Sequence, residues 1–137
     1  MENDDVLYIL LADDDADDRL FFKEAMEEIN PDTLVSFVND GSQLIYFLNQ
    51  PGIRLPRILF LDLNMPVKNG MDCLKEIRAN ERFKDLVIAI YSTSGSELDV
   101  QEAFVNGANI YIKKPNNFAD LKASLAKLIN RSVETIL

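Results

Sequence analysis

Five short apolar segments, each separated from the next by a longer stretch of helical periodicity, constrain the fold more than any other feature of the sequence. In chain order they are VLYILLA (6–12), TLVSFV (33–38), RILFLD (57–62), LVIAIYS (86–92) and NIYIKK (109–114). This alternation is typical of repeated β-α units around a parallel sheet. The third and fourth segments are apolar almost throughout, as are strands that helices cover on both faces. The sequence therefore predicts an α/β fold with these two strands inside the sheet.

The stretches between the apolar segments predict where helices begin, where they end and which faces they bury. Apolar residues at helical spacing form the predicted buried stripes of the first and last helices: Phe22, Ala25, Met26, Ile29, Leu121, Leu125, Leu128 and Ile129. Asp15 is the predicted N-cap of the first helix, which Asn30 ends, and DGS at 40–42 opens the second. Gly107 is predicted to close the fourth helix.

Length and composition limit the class of protein. The 137 residues, 47% hydrophobic and 27% charged, suit one globular domain over 1–137 with a core at about 6–130. No apolar run is long enough to cross a bilayer, so no membrane contact is expected. The acidic start MENDDV is unlike a secretory signal, and a cytoplasmic location is predicted.

Charge and cysteine content exclude two further classes. The net charge of −9 would repel nucleic acid phosphates, so no nucleic acid partner is expected. The single cysteine, Cys73, cannot form an internal disulfide, and the chain has no histidine with which it could complete a common zinc site. Cys73 is predicted to be a packing residue.

Polar side chains stand at the carboxyl ends of the predicted strands, where ligands of open parallel sheets gather. They are Asp13 and Asp14, Asp62, Ser92 and Thr93, and Lys113 and Lys114. Crowded carboxylates repel one another, and a hard divalent cation with oxygen ligands, most simply Mg²⁺, would compensate their charge. A lysine and a hydroxyl would stabilise a transferring phosphoryl group, and Lys114 and Ser92 suit those roles. Asp62, at the end of the central strand, is the predicted acceptor.

Four stretches of the sequence together resemble the CheY-like receiver domain family. They are ILLADDDADDR, ILFLDLNMPVKNG, AIYSTSGSE and GANIYIKKP, and the resemblance extends over nearly the whole chain. It implies a flavodoxin-like, doubly wound sheet of five parallel strands in the order 2-1-3-4-5, with helices on both faces. DLNMPVKNG is the most specific stretch, whereas an acidic pair or Lys-Pro alone would indicate little.

The resemblance also implies a role for each site residue. Asp13 and Asp14 are similar to the family's acidic metal-binding pair, and Asp62 to its phosphoacceptor. By the same resemblance, the backbone carbonyl of Asn64 would ligate Mg²⁺, and Ser92 and Lys114 correspond to the family's hydroxyl residue and lysine. Tyr111 corresponds to its switch aromatic. Asn64 and Ser94 would lie beside the path of the hydrolytic water.

Several of these residues have simpler interpretations. Asp15, Asp17 and Asp18 are predicted to serve the helix start and the surface rather than a metal. At least one of Thr93, Ser94 and Ser96 is predicted to cap the fourth helix. Lys113 should point away from Lys114, because successive strand residues face opposite sides. For Tyr111 two roles are compatible with the sequence, a switch residue and a sheet-edge aromatic.

The favoured hypothesis is a signalling switch and not an enzyme with an external substrate. A sensor histidine kinase or a histidine phosphotransfer protein would donate the phosphoryl group, and the receiver would catalyse its own phosphorylation and dephosphorylation. No output segment follows the fifth helix, so a standalone receiver is predicted, either a monomer or a weak phosphorylation-linked dimer. It would contact a downstream protein through the fourth helix, fifth strand and fifth helix. The 49–57 loop and the DDDADD start resemble small receivers paired with phytochrome-type kinases.

Two other classes of protein fit the sequence less well. A haloacid dehalogenase-like phosphatase would need a second aspartate two residues after its nucleophile, but position 64 is Asn. The Asp13-Asp14-Asp15 triplet has the spacing but lacks the expected following threonine or valine. A receiver-like scaffold that never takes phosphate is disfavoured because every required group is present. The isolated glycines form neither a P-loop nor a dinucleotide fingerprint.

Overall fold

A single parallel sheet organises the molecule. The computed structural model describes residues 6–136, with side chains described as far as Asn130. The strands are β1 (Tyr8–Ala12), β2 (Leu34–Val38), β3 (Ile58–Leu61), β4 (Val87–Ser92) and β5 (Ile110–Lys113). All neighbouring pairs are parallel, in the order β2-β1-β3-β4-β5. The predicted order is confirmed, and β3 lies at the centre of the sheet.

Within residues 6–136, five α-helices connect and cover the strands. They are α1 (Ala16–Ile29), α2 (Gly41–Leu48), α3 (Gly70–Arg78), α4 (Glu97–Val105) and α5 (Phe118–Ile136). The predicted caps are confirmed: Asp15 accepts hydrogen bonds from the backbone of α1, Asp40 does so in α2, and Ser96 does so in α4. Gly107 follows α4 with φ of 105°, a conformation that glycine adopts without strain. Within residues 6–136, every helix is too short or too polar to cross a lipid bilayer.

The core forms two layers because successive strand residues face opposite sides of the sheet. On one face, Ile9 and Leu11 of β1 belong to a cluster with α1 and α5. This cluster contains the predicted stripes, with Phe22, Ala25, Met26, Leu121, Leu125, Leu128 and Ile129 buried and Ile29 partly buried. On the other face, Leu10 and Ala12 pack with residues of α2 and α3. Cys73 is fully buried in this second layer, as predicted for a packing residue.

Arg78, the last residue of α3, forms hydrogen bonds to several segments at the opposite end of the sheet from the predicted site. Its guanidinium donates to the backbone carbonyls of Gly107 at 2.8 Å, Phe83 at 2.9 Å and Leu86 at 2.8 Å, and to Asn109 Oδ1 at 2.8 Å. The planar fork of an arginine suits such divergent acceptors better than an ammonium does. Arg78 thus joins α3, the 3₁₀ turn Glu81–Phe83 and the α4–β5 connection.

Arg78→Met should lower the free energy of unfolding by about 2–3 kcal/mol, because it leaves several partly buried carbonyls without their donor. Urea denaturation measures this change. The control is Arg57→Met, at an exposed arginine, which should shift stability by less than about 0.5 kcal/mol. Equal midpoints for the two variants would show that the Arg78 hydrogen bonds do not stabilise the fold.

Candidate functional site

Two acidic side chains emerge together at the carboxyl ends of neighbouring strands. The amide of Asp13 donates to the Val38 carbonyl at 3.1 Å, and that of Asp62 donates to the Ala12 carbonyl at 3.0 Å. The hydrogen-bond ladder of the sheet therefore continues one residue past β1 and β3. Asp13 is 0% exposed and Asp62 is 4% exposed. Both carboxylates are thus held by the sheet itself and not by a loop.

A third carboxylate completes a group that could bind a metal ion. Asp13, Asp14 and Asp62 each offer an oxygen, and these oxygens all lie within 4.8 Å of one another. Asp14 is exposed, so the group is open to solvent on one side. Carboxylate oxygens at this spacing are ligands that hard divalent cations prefer. The predicted metal-binding pair and the predicted phosphoacceptor thus come together in the fold.

Asp13 is the most deeply buried member of this group. Its Oδ1 accepts a hydrogen bond from the Asp15 amide at 3.0 Å. Its buried Oδ2 forms an ion pair with Lys114 Nζ at 2.9 Å and has no hydrogen-bond partner among the described residues. Burial raises the pKa of Asp13 to about 6, against the lowering effects of the Asp15 amide and Lys114. A bound cation would offset the cost of ionising this carboxylate.

The Asp62 carboxylate is oriented from two sides. Its Oδ1 accepts a hydrogen bond from the Asn64 amide at 3.0 Å, and its Oδ2 lies 3.2 Å from Lys114 Nζ. The start of α3 packs against the same residue, because a Cβ on Gly70 would lie 2.1 Å from the Asp62 carbonyl oxygen. Only glycine permits this approach. The Asn64 side chain is exposed beside the site.

Lys114 lies among three carboxylates. Its Nζ lies 2.8 Å from Asp18, 2.9 Å from Asp13 and 3.2 Å from Asp62, and the side chain is 9% exposed. Nζ is also 5.3 Å from the centre of the buried Tyr91 ring. Burial alone would lower the pKa of Lys114, but the hydrogen bond to Asp18 and the close negative charges of Asp13 and Asp62 raise it above its ordinary value. The lysine is therefore a fixed positive charge at the site.

The contact between Asp18 and Lys114 was not predicted from the sequence. Asp18 was expected to belong only to the helix start and the surface, but its carboxylate contacts the lysine. A signal was present, because Asp18, Phe22 and Met26 are four residues apart and therefore share one face of α1. The apolar part of that face packs against the sheet, and its first turn reaches the carboxyl ends of the strands.

The hydroxyl residues lie at and beyond the end of β4. Ser92 is fully buried and ends the strand. Its Oγ accepts a hydrogen bond from the Ser94 amide at 3.2 Å, and Ser94 Oγ donates to Asp99 of α4 at 2.5 Å. Ser92 thus stands at the strand end next to that of Asp62, as predicted. The hydroxyls also connect this strand end to the first turn of α4.

Tyr111 of β5 contacts the same loop. Its hydroxyl donates to the Ser94 carbonyl at 2.7 Å, and its half-buried ring packs against the layer that contains α2 and α3. Tyr111 is therefore bonded to the β4–α4 connection, which a sheet-edge aromatic alone would not require. Lys113 is exposed whereas the next residue points into the site, which is the alternation predicted for the end of β5.

Comparisons with known proteins agree with this geometry. Residues 9–126 match the family described as response regulator receiver domain. Response regulator Rcp1 of Synechocystis is 30% identical over 132 residues, which cover 93% of this chain and 90% of Rcp1. The crystal structure of the phosphorylated cyanobacterial phytochrome response regulator RcpA aligns with a TM-score of 0.87 and 27% identity, over 95% of this chain and 96% of RcpA. The Mn²⁺-bound form of Rcp1 aligns with a TM-score of 0.84 and 29% identity, over 96% of this chain and 97% of Rcp1.

The family match extends from β1 into α5 and includes every predicted site residue. The strand order and the acidic group at the ends of β1 and β3 are those expected from the resemblance in the sequence. The chain therefore belongs to the response regulator receiver domain family of two-component signalling proteins.

Proposed function

We propose that this receiver accepts a phosphoryl group from a phosphohistidine donor on Asp62 and signals through phosphorylation-dependent contact with another protein. One observation carries the proposal: the Asp62 carboxylate, buried at the end of the central strand, lies 3.2 Å from a lysine ammonium and within 4.8 Å of two further carboxylates. An acceptor for phosphoryl transfer needs this combination of positive charge and metal ligands.

The donor set fits Mg²⁺. Asp13, Asp14, Asp62 and the backbone carbonyl of Asn64 would hold the ion, with waters in its remaining positions. All of these donors are hard oxygens, and within the described part of the chain the buried Asp13 Oδ2 pairs only with the Lys114 charge and has no hydrogen-bond partner. When bound, the ion would neutralise charge on the transferring phosphoryl group. The Mn²⁺-bound form of Rcp1 supports a divalent-cation site in a relative, and our proposal for this chain is magnesium.

The chain's own residues would carry the rest of the reaction. A carboxylate oxygen of Asp62 forms a bond to phosphorus as the bond from phosphorus to the donor's histidine nitrogen breaks. Lys114 Nζ, within reach of Asp62, hydrogen-bonds a phosphoryl oxygen, and the Ser92 hydroxyl donates to another. Because these groups are fixed before the donor arrives, a small donor such as acetyl phosphate should suffice.

Asn64 and Ser94 would set the lifetime of the acyl phosphate, as the family resemblance implies. Asn64 is exposed beside Asp62, and Ser94 lies in the loop that follows Ser92. In this proposal both side chains would influence access of a water molecule to phosphorus. This hydrolysis would end the signal on the protein itself, without an external substrate.

Ser92→Ala should separate phosphorylation from its output. The phosphoryl group offers an acceptor that draws the Ser92 hydroxyl inward, and the Tyr111 ring then moves towards the vacated space, which changes the α4, β5 and α5 surface. The variant should bind Mg²⁺ and take up at least some phosphate, while amide shifts of that surface respond weakly. Thr93→Ala, at the next and exposed residue, is the control. A full wild-type response in phosphorylated Ser92→Ala protein would refute this switch.

The α4, β5 and α5 surface is the proposed docking site for the downstream protein. Leu98, Phe104 and Val105 of α4 are 73%, 46% and 85% exposed, so the helix presents apolar side chains to solvent. Contact through this surface is compatible with a monomer or with a weak phosphorylation-linked dimer. We further propose a cytoplasmic location, where histidine kinases use ATP.

The donor is proposed to be a sensor histidine kinase or a histidine phosphotransfer protein. The similarity to Rcp1 and to the phytochrome response regulator RcpA favours a phytochrome-type kinase. Phosphotransfer from each purified kinase of the source organism tests this proposal, and one kinase should label the receiver much faster than the others. Steady hydrolysis of simple phosphate esters without labelling would instead support the phosphatase alternative, which Asn64 disfavours and no comparison supports.

A further inference from the structure

The carboxylate nearest to Lys114 Nζ comes from outside the acidic group. Asp18, in the first turn of α1, lies 2.8 Å from Nζ, closer than either Asp13 or Asp62. Its side chain is 38% exposed, and it is not among the three acids whose oxygens cluster within 4.8 Å. The lysine therefore has one partner that belongs to α1 and does not enter the proposed reaction.

The other two partners of Lys114 change during that reaction. Asp62 becomes an acyl phosphate, and Asp13 becomes a metal ligand, so both of their contacts with the ammonium are altered. Without a further partner, the lysine ammonium on its flexible four-carbon stem would be positioned only by groups that change during the reaction. Asp18 and the Tyr91 ring, 5.3 Å from Nζ, are the neighbours that remain. Of these two, only Asp18 accepts a charge-assisted hydrogen bond.

We propose that Asp18 is a positioning residue for phosphoryl transfer, which holds Lys114 Nζ within reach of Asp62 throughout the reaction. This inference rests on the proposed phosphorylation of Asp62. Asp18 does not draw the lysine away from the acceptor, because Nζ contacts Asp18 at 2.8 Å and Asp62 at 3.2 Å at the same time. The contact also joins α1 to the end of β5, two segments that are far apart in the chain.

Asp18→Asn, which keeps the size of the side chain but removes its charge, tests the proposal. The rate of phosphorylation by acetyl phosphate should fall by about tenfold, because a less constrained ammonium stabilises the transferring group less often. Asp17→Asn is the matched control: it removes the same charge from the same turn at an exposed side chain. Its rate should stay within about twofold of wild type, since exposed charges act weakly.

A second measurement, on protein free of phosphate, separates positioning from general electrostatics. In wild type the nearly buried Lys114 ammonium should give a resolved ¹H–¹⁵N signal in NMR spectra. Asp18→Asn should broaden or shift this signal through faster exchange with water, whereas Asp17→Asn should leave it unchanged. Asp18→Glu, which restores the charge, should recover part of both the signal and the rate.

The outcomes separate the two proposals. A slower rate together with a changed ammonium signal in Asp18→Asn alone supports the positioning role. If Asp18→Asn matches Asp17→Asn in rate, or is slower while its ammonium signal is unchanged, the positioning role is overturned although Asp62 is still phosphorylated. If wild type takes up no phosphate at all, the proposed function fails, and this inference fails with it.

Discussion

Asp62→Asn should abolish uptake of phosphate from acetyl phosphate while leaving the fold intact. The amide oxygen is a poor nucleophile and cannot form the acyl phosphate. Among residues 6–130, Asp62 is the one carboxylate that lies at the end of the central strand and contacts the lysine, at 3.2 Å. The measurement is intact-protein mass after incubation with Mg²⁺ and acetyl phosphate, with circular dichroism to check the fold. Asp85→Asn, at an exposed residue before β4, should be labelled as wild type is.

An acid-stable, base-labile phosphate at wild-type levels in Asp62→Asn would show that another carboxylate is the acceptor. Asp13 would then be the first residue to examine, because it also contacts Lys114. If Asp62→Asn loses both labelling and the native circular dichroism spectrum, the variant has not folded, and Asp62→Glu is tested in its place. That variant keeps the carboxylate but displaces it by one methylene from the position of the Asp62 carboxylate, and its labelling should be strongly reduced.

Asp13→Asn/Asp14→Asn should weaken Mg²⁺ binding by a factor of about 100 or more. The double change removes two of the three clustered carboxylates and leaves neutral oxygens, which hard cations bind less strongly. Titration of Mg²⁺ followed by amide shifts near Asp62 and Asn64 gives the affinity. Asp17→Asn/Asp85→Asn, which removes the same net charge from exposed positions, should bind the ion nearly as wild type does.

Two results would contradict the proposed metal site. The first is an amide spectrum of wild type that does not respond to Mg²⁺ around these residues. The second is an equal loss of affinity in the two double variants, which would mean that the effect comes from the net charge of −9 and not from ligation.

The sequence predicted the sheet and its two core layers because these depend on local patterns. Alternating strand residues such as Ile9 and Leu10 face opposite sides, and apolar residues at helical spacing mark the buried stripe of α1. The helix caps Asp15 and Asp40 were predicted because capping needs only a short polar side chain beside the first turn. The convergence of Asp13 and Asp62 followed from the parallel sheet, since its strands end at a common edge.

Contacts that depend on the reach of long side chains were not predicted. Whether Lys114 reaches Asp18 depends on how α1 lies against the sheet, and sequence spacing gives only the face on which Asp18 stands. The carbonyl acceptors of Arg78 have no sequence signal at all, because any residue supplies a carbonyl. The 3₁₀ turn Glu81–Phe83 is too short to show a periodic pattern. The bond from Tyr111 to the Ser94 carbonyl likewise depends on the path of a loop.

Chemical mapping of the phosphorylated residue shows whether Asp62 is the phosphoacceptor. Borohydride reduces an aspartyl phosphate to homoserine, and the changed residue is then located by peptide mass spectrometry after labelling with Mg²⁺ and acetyl phosphate. Our account predicts homoserine at position 62 alone, in a yield that falls when Mg²⁺ is chelated before labelling. Homoserine at position 13, 14 or 18, or a phosphorylated protein that yields no homoserine, would contradict it.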